Sequence, residues 1–352
     1  MLRLSDISRL RHYRPARKHR RPVLAMCAAI FLMGAAPVSV PDDQAILATV
    51  NSELRPMARI LLNAQRLERS FKPSRPARPP DGVSEVEVPG MGKAPPVTLY
   101  IVNRSAALTP PRGAILYIHG GGFVAGDARD DLRELLPLAR RLDCLIVSVQ
   151  YRLAPATPFP GALEDNYAAL KWLHAHAGEL GVDPARLVVM GESAGGGHAA
   201  MLTIAARARK EVPIAFQALV YPMLDDRTGS ARTVPPHAGR LIWTAESNRA
   251  GWQALLGRKP GRSDEPRGAV PAREKDLTGL PPTFIGVGSI DLFANEDIEF
   301  ARRLVDAGVP TELLVIPGAF HGFQRAVPRA AVSQQFNAAL EAALARVLKP
   351  GG

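Results

Sequence analysis

Beyond residue 110 the chain alternates between two hydrophobic periods. Continuous apolar runs at 115–118, 144–149, 187–190, 215–220 and 283–287 are separated by stretches near 130–142, 163–176 and just after residue 193 whose apolar positions recur at helical spacing. Runs this nearly apolar, with only Ser148, Gln217 and Thr283 polar, predict strands covered on both faces, and their alternation with helices predicts a largely parallel sheet between two helical layers. Two further runs, 83–88 and 97–102, are rich in β-branched residues and predict a hairpin ahead of that sheet. Upstream, Ile46, Val50, Leu54, Met57, Ile60, Leu61 and Leu67 are spaced for one or two helices with a break expected at Pro56, and residues 72–80, rich in proline and arginine, read as a linker.

The alternation lapses over residues 223–277. That stretch holds Asp225-Asp226, a polar turn at 227–232, Pro235-Pro236 and an amphipathic segment with Trp243, Trp252, Leu255 and Leu256. It is too long for a simple connection and lies between two strands, so it is expected above their carboxyl ends, where the sites of α/β sheets form. The resulting division is a leader at 1–40, N-terminal cap helices at 41–75, a core at 76–222, a cap insertion at 223–277 and the rest of the core at 278–352. Met223 and Leu224 are the first candidates for the pocket wall and Trp243 a further one, although Trp243 and Trp252 are both expected chiefly in the core of the cap.

Ser193 sits in Gly191-Glu192-Ser193-Ala194-Gly195, directly after one apolar run and directly before a helical pattern. A sharp small-residue turn between strand and helix holds a serine oxygen in the open as a nucleophile. The pentapeptide alone says little, because such residues cluster in ordinary turns. Its company says more: His119-Gly120-Gly121-Gly122 lies upstream, and Asp291 and His321 follow later apolar runs. A serine oxygen attacks a carbonyl only if a neutral histidine takes its proton, and a buried carboxylate must hold that histidine in one tautomer. His321 and Asp291 are assigned those roles. The developing oxyanion needs fixed donors, for which the N–H groups of Gly121, Gly122 and Ala194 are expected. Glu296 and Asp297 are expected inside the following helix and Asp165 on another, which disfavours them as the acid. A dinucleotide fingerprint at Gly120-x-Gly122-x-x-Ala125 with Asp143 downstream fits poorly, because residues 123–127 intervene before any helix and Ser193, Asp291 and His321 are left unused.

Together with Tyr151-Arg-Leu-Ala-Pro155, Pro158-Phe-Pro160, Glu164-Asp165 and His321-Gly-Phe323, these motifs resemble the hormone-sensitive-lipase-like branch of the α/β hydrolases, over about residues 80–345. The resemblance implies a mostly parallel eight-stranded sheet with helices on both faces and a helical cap. It also implies a carboxylesterase using Ser193, Asp291 and His321, with an oxyanion loop at Gly121 and Gly122. Departures are Glu192 where similar members carry Asp, Ala156 where they carry Glu, and Leu292 and Asn295 in the acid loop. Hydrolysis of short- to medium-chain acyl esters is the first expectation. A related hydrolase of acylated sugars, lactones or amides is the second, since the acyl chemistry is shared. A ligand-binding protein on the same fold is the third, disfavoured because Ser193, Asp291 and His321 are all present.

Charge adds a leader and removes nucleic acid. Of the net +11, residues 1–22 supply +7 from eight basic side chains against Asp6, leaving only +4 for the other 330 residues. The apolar run 23–36 that follows is short for a bilayer, so the leader reads as a secretory signal, with Arg20-Arg21 hinting at the twin-arginine kind. A periplasmic or secreted enzyme is expected; the alternatives are an uncleaved membrane anchor, or a cytoplasmic enzyme behind a misassigned start codon. Two cysteines, Cys27 and Cys144, make no disulfide framework, and no metal or nucleotide motif points to a cofactor. The partner expected is a small acyl ester, and a homodimer is compatible with the sequence.

Overall fold

The computed structural model describes residues 42–66, 78–104 and 111–349; the expected leader, Leu67 and most of the linker lie outside them. Among the described residues the strands are β1 (Val83–Val88), β2 (Val97–Val102), β3 (Arg112–Ile118), β4 (Leu145–Gln150), β5 (Val182–Glu192), β6 (Phe216–Val220), β7 (Thr283–Gly288) and β8 (Thr311–Ile316). They form one sheet in the order β1-β2-β4-β3-β5-β6-β7-β8. β1 and β2 pair antiparallel, β2 pairs antiparallel with β4, and every pair from β4 to β8 is parallel. The α-helices are α1 (Asp43–Thr49), α2 (Arg55–Arg66), α3 (Leu132–Leu142), α4 (Gly161–Ala175), α5 (Ala194–Arg209), α6 (Ala245–Leu256), α7 (Ala294–Asp306), α8 (Phe323–Ala326) and α9 (Ala331–Leu348).

Strand composition explains the layers. Every residue of β3 is buried, yet its side chains still alternate: Ala114, Leu116 and Ile118 join one apolar cluster while Ile115 and Tyr117 join the other. In β5, Leu187 and Val189 face one way and Val188 and Met190 the other. Successive side chains of a strand point to opposite faces, so a strand covered on both is apolar nearly throughout; the buried Ser148 and Gln217 satisfy their side chains on Ala128 O and Thr283 Oγ1. One cluster is closed by Tyr167 and Leu170 of α4, Met201 and Leu202 of α5 and Leu304 of α7. The other is closed by Leu62 of α2, Leu135 and Leu142 of α3 and Leu344 of α9.

Two boundaries differ from the sequence expectation. β5 begins at Val182 because that residue pairs with Arg112, although the stretch up to Arg186 is largely solvent-facing and carries no apolar signal. The N-terminal helical stretch breaks at Val50-Asn51, not at Pro56. Pro56 lies in the first turn of α2, where a missing N–H costs nothing. Asn51 donates its N–H to Gly318 O at 2.9 Å and Gln65 Nε2 donates to Arg240 O at 3.4 Å, so this segment packs on loops that follow β8 and β6.

Between β6 and β7 the chain builds α6. Thr244 Oγ1 accepts the N–H of Ser247 at its start, Gly257 closes its end at φ +65°, and Trp252 is fully buried with its ring 4.9 Å from that of Phe123. Among the described residues no helix is long and apolar enough to cross a membrane. Cys144 is buried, and burial pushes its thiol up to about 12, which leaves it unreactive.

Candidate active site

His119, Ser193, Asp291 and His321 follow β3, β5, β7 and β8, four strands from different parts of the chain whose carboxyl ends lie on one edge of the sheet. Ser193 has φ +57° and ψ −123°, a conformation that a side chain disfavours and that only its surroundings can hold. Those surroundings are tight. A Cβ on Gly191 would lie 2.2 Å from Gly195 O, and one on Gly195 would lie 2.1 Å from Ile118 O. Both obstacles are backbone oxygens, so the turn admits only glycine at either side of Glu192-Ser193-Ala194.

Ser193 Oγ is 2.9 Å from His321 Nε2, and His321 Nδ1 is 2.8 Å from Asp291 Oδ2. A carboxylate only accepts, so Nδ1 carries the hydrogen and Nε2 presents its lone pair to the serine hydroxyl. Asp291 Oδ1 accepts the N–H of Phe293 at 3.0 Å, fixing the carboxylate. All three side chains are buried, and the His321 ring meets the edges of Tyr221 and Phe293 at centroid distances of 4.7 and 5.3 Å. The other acids are differently occupied. Asp165 pairs with Arg152 at 2.7 Å. Glu296 accepts the N–H groups of Leu224 and Asp225 at 2.7 and 3.0 Å and bonds Thr228; burial and then Asp225 raise its pKa well above the usual range. Burial, then Glu296 and Asp291, do the same to Asp297. Asp291 alone of these acids reaches the imidazole.

The glycine loop lies against Ser193: a Cβ on Gly120 would be 3.4 Å from Ser193 Cβ. Gly121, at φ +121°, turns so sharply that a Cβ there would be 2.0 Å from Ala125 O, whose own N–H returns to Gly121 O at 3.0 Å. Among the described residues the N–H groups of Gly121, Gly122 and Ala194 have no acceptor in the protein. His119 braces this loop. Its Nδ1–H donates to Gly120 O at 2.8 Å, its ring stacks on Tyr151 at 4.2 Å, and Tyr151 Oη donates to His119 O at 2.9 Å. Burial lowers the His119 pKa, and burial with His119 nearby pushes His198 down to about 3. Both stay neutral and serve as scaffolding.

Glu192 does more than keep a charge beside Ser193. Its Oε2 accepts from Tyr221 Oη at 2.8 Å and from Arg325 Nε at 2.7 Å, and its Oε1 accepts from Arg325 Nη2 at 2.9 Å. Arg325 also reaches Tyr117 Oη at 3.0 Å and pairs with Asp131. The serine turn is thereby tied to the helix that follows His321. Neither Arg325 nor Asp131 stands out in the sequence, since the partners lie far apart along the chain and no local pattern links them. Replacing Arg325 by Ala leaves two largely buried carboxylates unpaired; a loss of about 3 kcal/mol is expected, measured as a lower urea midpoint with unchanged slope.

The pocket candidates separate. Met223 and Leu224 are fully buried; the N–H of Met223 donates to Ser193 O at 3.0 Å and its Cε approaches Gly251, so the pair braces the serine turn. Trp243 lies over the oxyanion loop, its Cη2 only 2.1 Å from where a Cβ on Gly122 would be. Ile242, exposed, has its Cδ1 3.9 Å from where a Cβ on Gly322 would be, and no sequence pattern singled it out.

The family of the alpha/beta hydrolase fold matches residues 115–325. Esterase LipI of Mycobacterium tuberculosis is 36% identical over 213 residues, 59% of this chain and 65% of that protein. Ethyl acetate hydrolase of Pseudomonas putida is 31% identical over 281 residues, covering 75% of this chain and 84% of the relative. Among solved structures, a bacterial heroin esterase superposes with a TM-score of 0.74 at 37% identity, covering 86% of this chain and 99% of that one. With the sheet order and the loops above, these similarities are sufficient: the chain belongs to the α/β hydrolases, in the branch resembling hormone-sensitive lipase.

Proposed function

We propose that the protein is a serine carboxylesterase acting on small esters with short- to medium-chain acyl groups. The observation that carries the reading is the unbroken chain from Ser193 Oγ through His321 to Asp291, at 2.9 and 2.8 Å, beside three N–H groups with no acceptor among the described residues. In this mechanism His321 Nε2 takes the Ser193 proton as Oγ attacks the ester carbonyl. The negative oxygen of the tetrahedral intermediate is held by Gly121, Gly122 and Ala194, which need not reorganise. Asp291 stabilises the imidazolium, which passes its proton to the departing alcohol, and water then repeats the sequence on the acyl-enzyme.

Small substrates are supported by Trp243, whose ring crowds the oxyanion loop, and by relatives named for ethyl acetate hydrolysis and esterase activity. The basic leader and its short apolar run support export to the periplasm or beyond. The test is hydrolysis of p-nitrophenyl esters from acetate to palmitate by the chain and by Ser193→Ala. Serine-dependent turnover that declines past medium chains is expected. A folded protein without serine-dependent turnover on any ester would sink the proposal.

A further inference from the structure

We infer that Ile242 sets the size limit for the alcohol part of the ester, an inference that rests on the hydrolase reading above. Residues 238–243 form a strap that crosses the loops carrying the site. Gly239 donates its N–H to Ile290 O at 3.0 Å, and a Cβ on Gly239 would lie 2.6 Å from Leu292 Cδ1, so the strap begins on the loop of Asp291. Arg240 O accepts from Gln65 Nε2 at 3.4 Å, and Leu241 is buried. At the other end Trp243 covers Gly122, with its Nε1 donating to Asn248 Oδ1 at 3.3 Å. Between these anchors the Ile242 side chain reaches the His321 loop: its Cδ1 is 3.9 Å from where a Cβ on Gly322 would be.

The backbone at Ile242 is strained. Trp243 N–H donates to Leu241 O at 2.8 Å, closing a three-residue turn with Ile242 at its centre and φ +64°. Of the two γ-turns, the one with positive φ is rare, and a β-branched residue fits it badly. Glycine or asparagine adopts that region at lower cost. The turn holds an isoleucine 42% exposed between two anchored neighbours, beside the catalytic loop. Strain kept at such a place points to a use for the side chain it displays.

The path of the proton decides which part of the ester that side chain meets. His321 Nε2 must come within hydrogen-bond reach of the departing alcohol oxygen, so the alcohol extends on the His321 side of Ser193. The carbonyl oxygen points to the other side, toward Gly121 and Gly122. Ile242, beside Gly322 next to His321, lies toward the first direction and Trp243, over Gly122, toward the second, which assigns the isoleucine to the alcohol and not to the acyl chain.

The experiment measures kcat/KM of the wild type, Ile242→Gly and Ile242→Phe on two series: acetates of ethyl, benzyl and 2-naphthylmethyl alcohol, and ethyl esters from acetate to octanoate. Glycine keeps the turn and removes the wall, so the naphthylmethyl-to-ethyl ratio is expected to rise about 10-fold, and Ile242→Phe is expected to lower it by a similar factor. The octanoate-to-acetate ratio is expected to stay within about 2-fold in both variants, since the acyl chain lies elsewhere. Circular dichroism melts establish that the variants are folded. Alcohol ratios unchanged in both, or acyl ratios that move in their place, overturn the assignment. Wild-type protein with no Ser193-dependent hydrolysis of any of these esters overturns the hydrolase reading itself.

Discussion

Ser193→Ala is expected to lower kcat on p-nitrophenyl acetate on the order of 10⁵-fold, with KM changed by no more than about threefold. The change removes the attacking oxygen and nothing that positions the ester. His321 keeps its bond to Asp291, and the N–H groups of Gly121, Gly122 and Ala194 remain where they are, so substrate still binds and the residual rate is what binding and the oxyanion loop supply alone. Alanine inherits the φ of +57° with a side chain of nearly the same size, and glycines on both sides leave the turn no other course, so the melting temperature is expected to hold. Pre-steady-state kinetics give the sharper test. The wild type should release p-nitrophenol in a burst equal to the enzyme concentration, and the variant should show none. A variant that retains a tenth of the wild-type rate would remove Ser193 from the role assigned to it.

Asp291→Asn is expected to lower kcat about 10⁴-fold while leaving the fold intact. Asp291 Oδ1 accepts the N–H of Phe293 and Oδ2 accepts from His321 Nδ1, so both oxygens are committed as acceptors. An asparagine that keeps its oxygen on Phe293 turns its NH₂ toward Nδ1. The imidazole must then accept at Nδ1 and carry its hydrogen on Nε2, where it faces Ser193 Oγ as a second donor and takes no proton from it. The same variant withdraws the charge that stabilises the imidazolium. Neighbouring acids offer no replacement: Glu296 is engaged with Leu224, Asp225 and Thr228, and burial, then Glu296 and Asp291, raise the Asp297 carboxyl well above the usual range. Activity within tenfold of the wild type, in protein with an unchanged melting curve, would transfer the orienting role to another group.

Much of this architecture is legible along the chain because its signals are local. The central strands of the parallel sheet announce themselves as largely apolar runs, since burial on both faces demands it, and the turn at Ser193 announces itself because backbone oxygens crowd Gly191 and Gly195. Ser193, Asp291 and His321 could be picked out for a related reason: each follows a strand, and strand ends of a parallel sheet meet at one edge whatever the connections between them. The helix break at Asn51 has a local part, its side chain accepting the N–H of Glu53, whereas the order of the strands and the pairing of Val182 with Arg112 depend on partners far away in the chain, and no local pattern records them. The same holds for the groups that hold the site in shape. Arg325 meets Glu192 and Asp131 only because β3, β5 and the segment after β8 converge.

Chain chemistry therefore determined the layers, the turn and which residues stand at the strand ends, because each needs particular residue types at particular spacings. Tertiary structure alone decided how those residues are braced and which apolar side chains beside them stay exposed. A buried Met223, a Trp243 laid on Gly122 and an Ile242 turned out at φ +64° differ in burial and backbone angle, not in hydrophobic character. Hydrophobicity is a property of the residue; which apolar side chain is left facing a substrate is a property of everything packed around it.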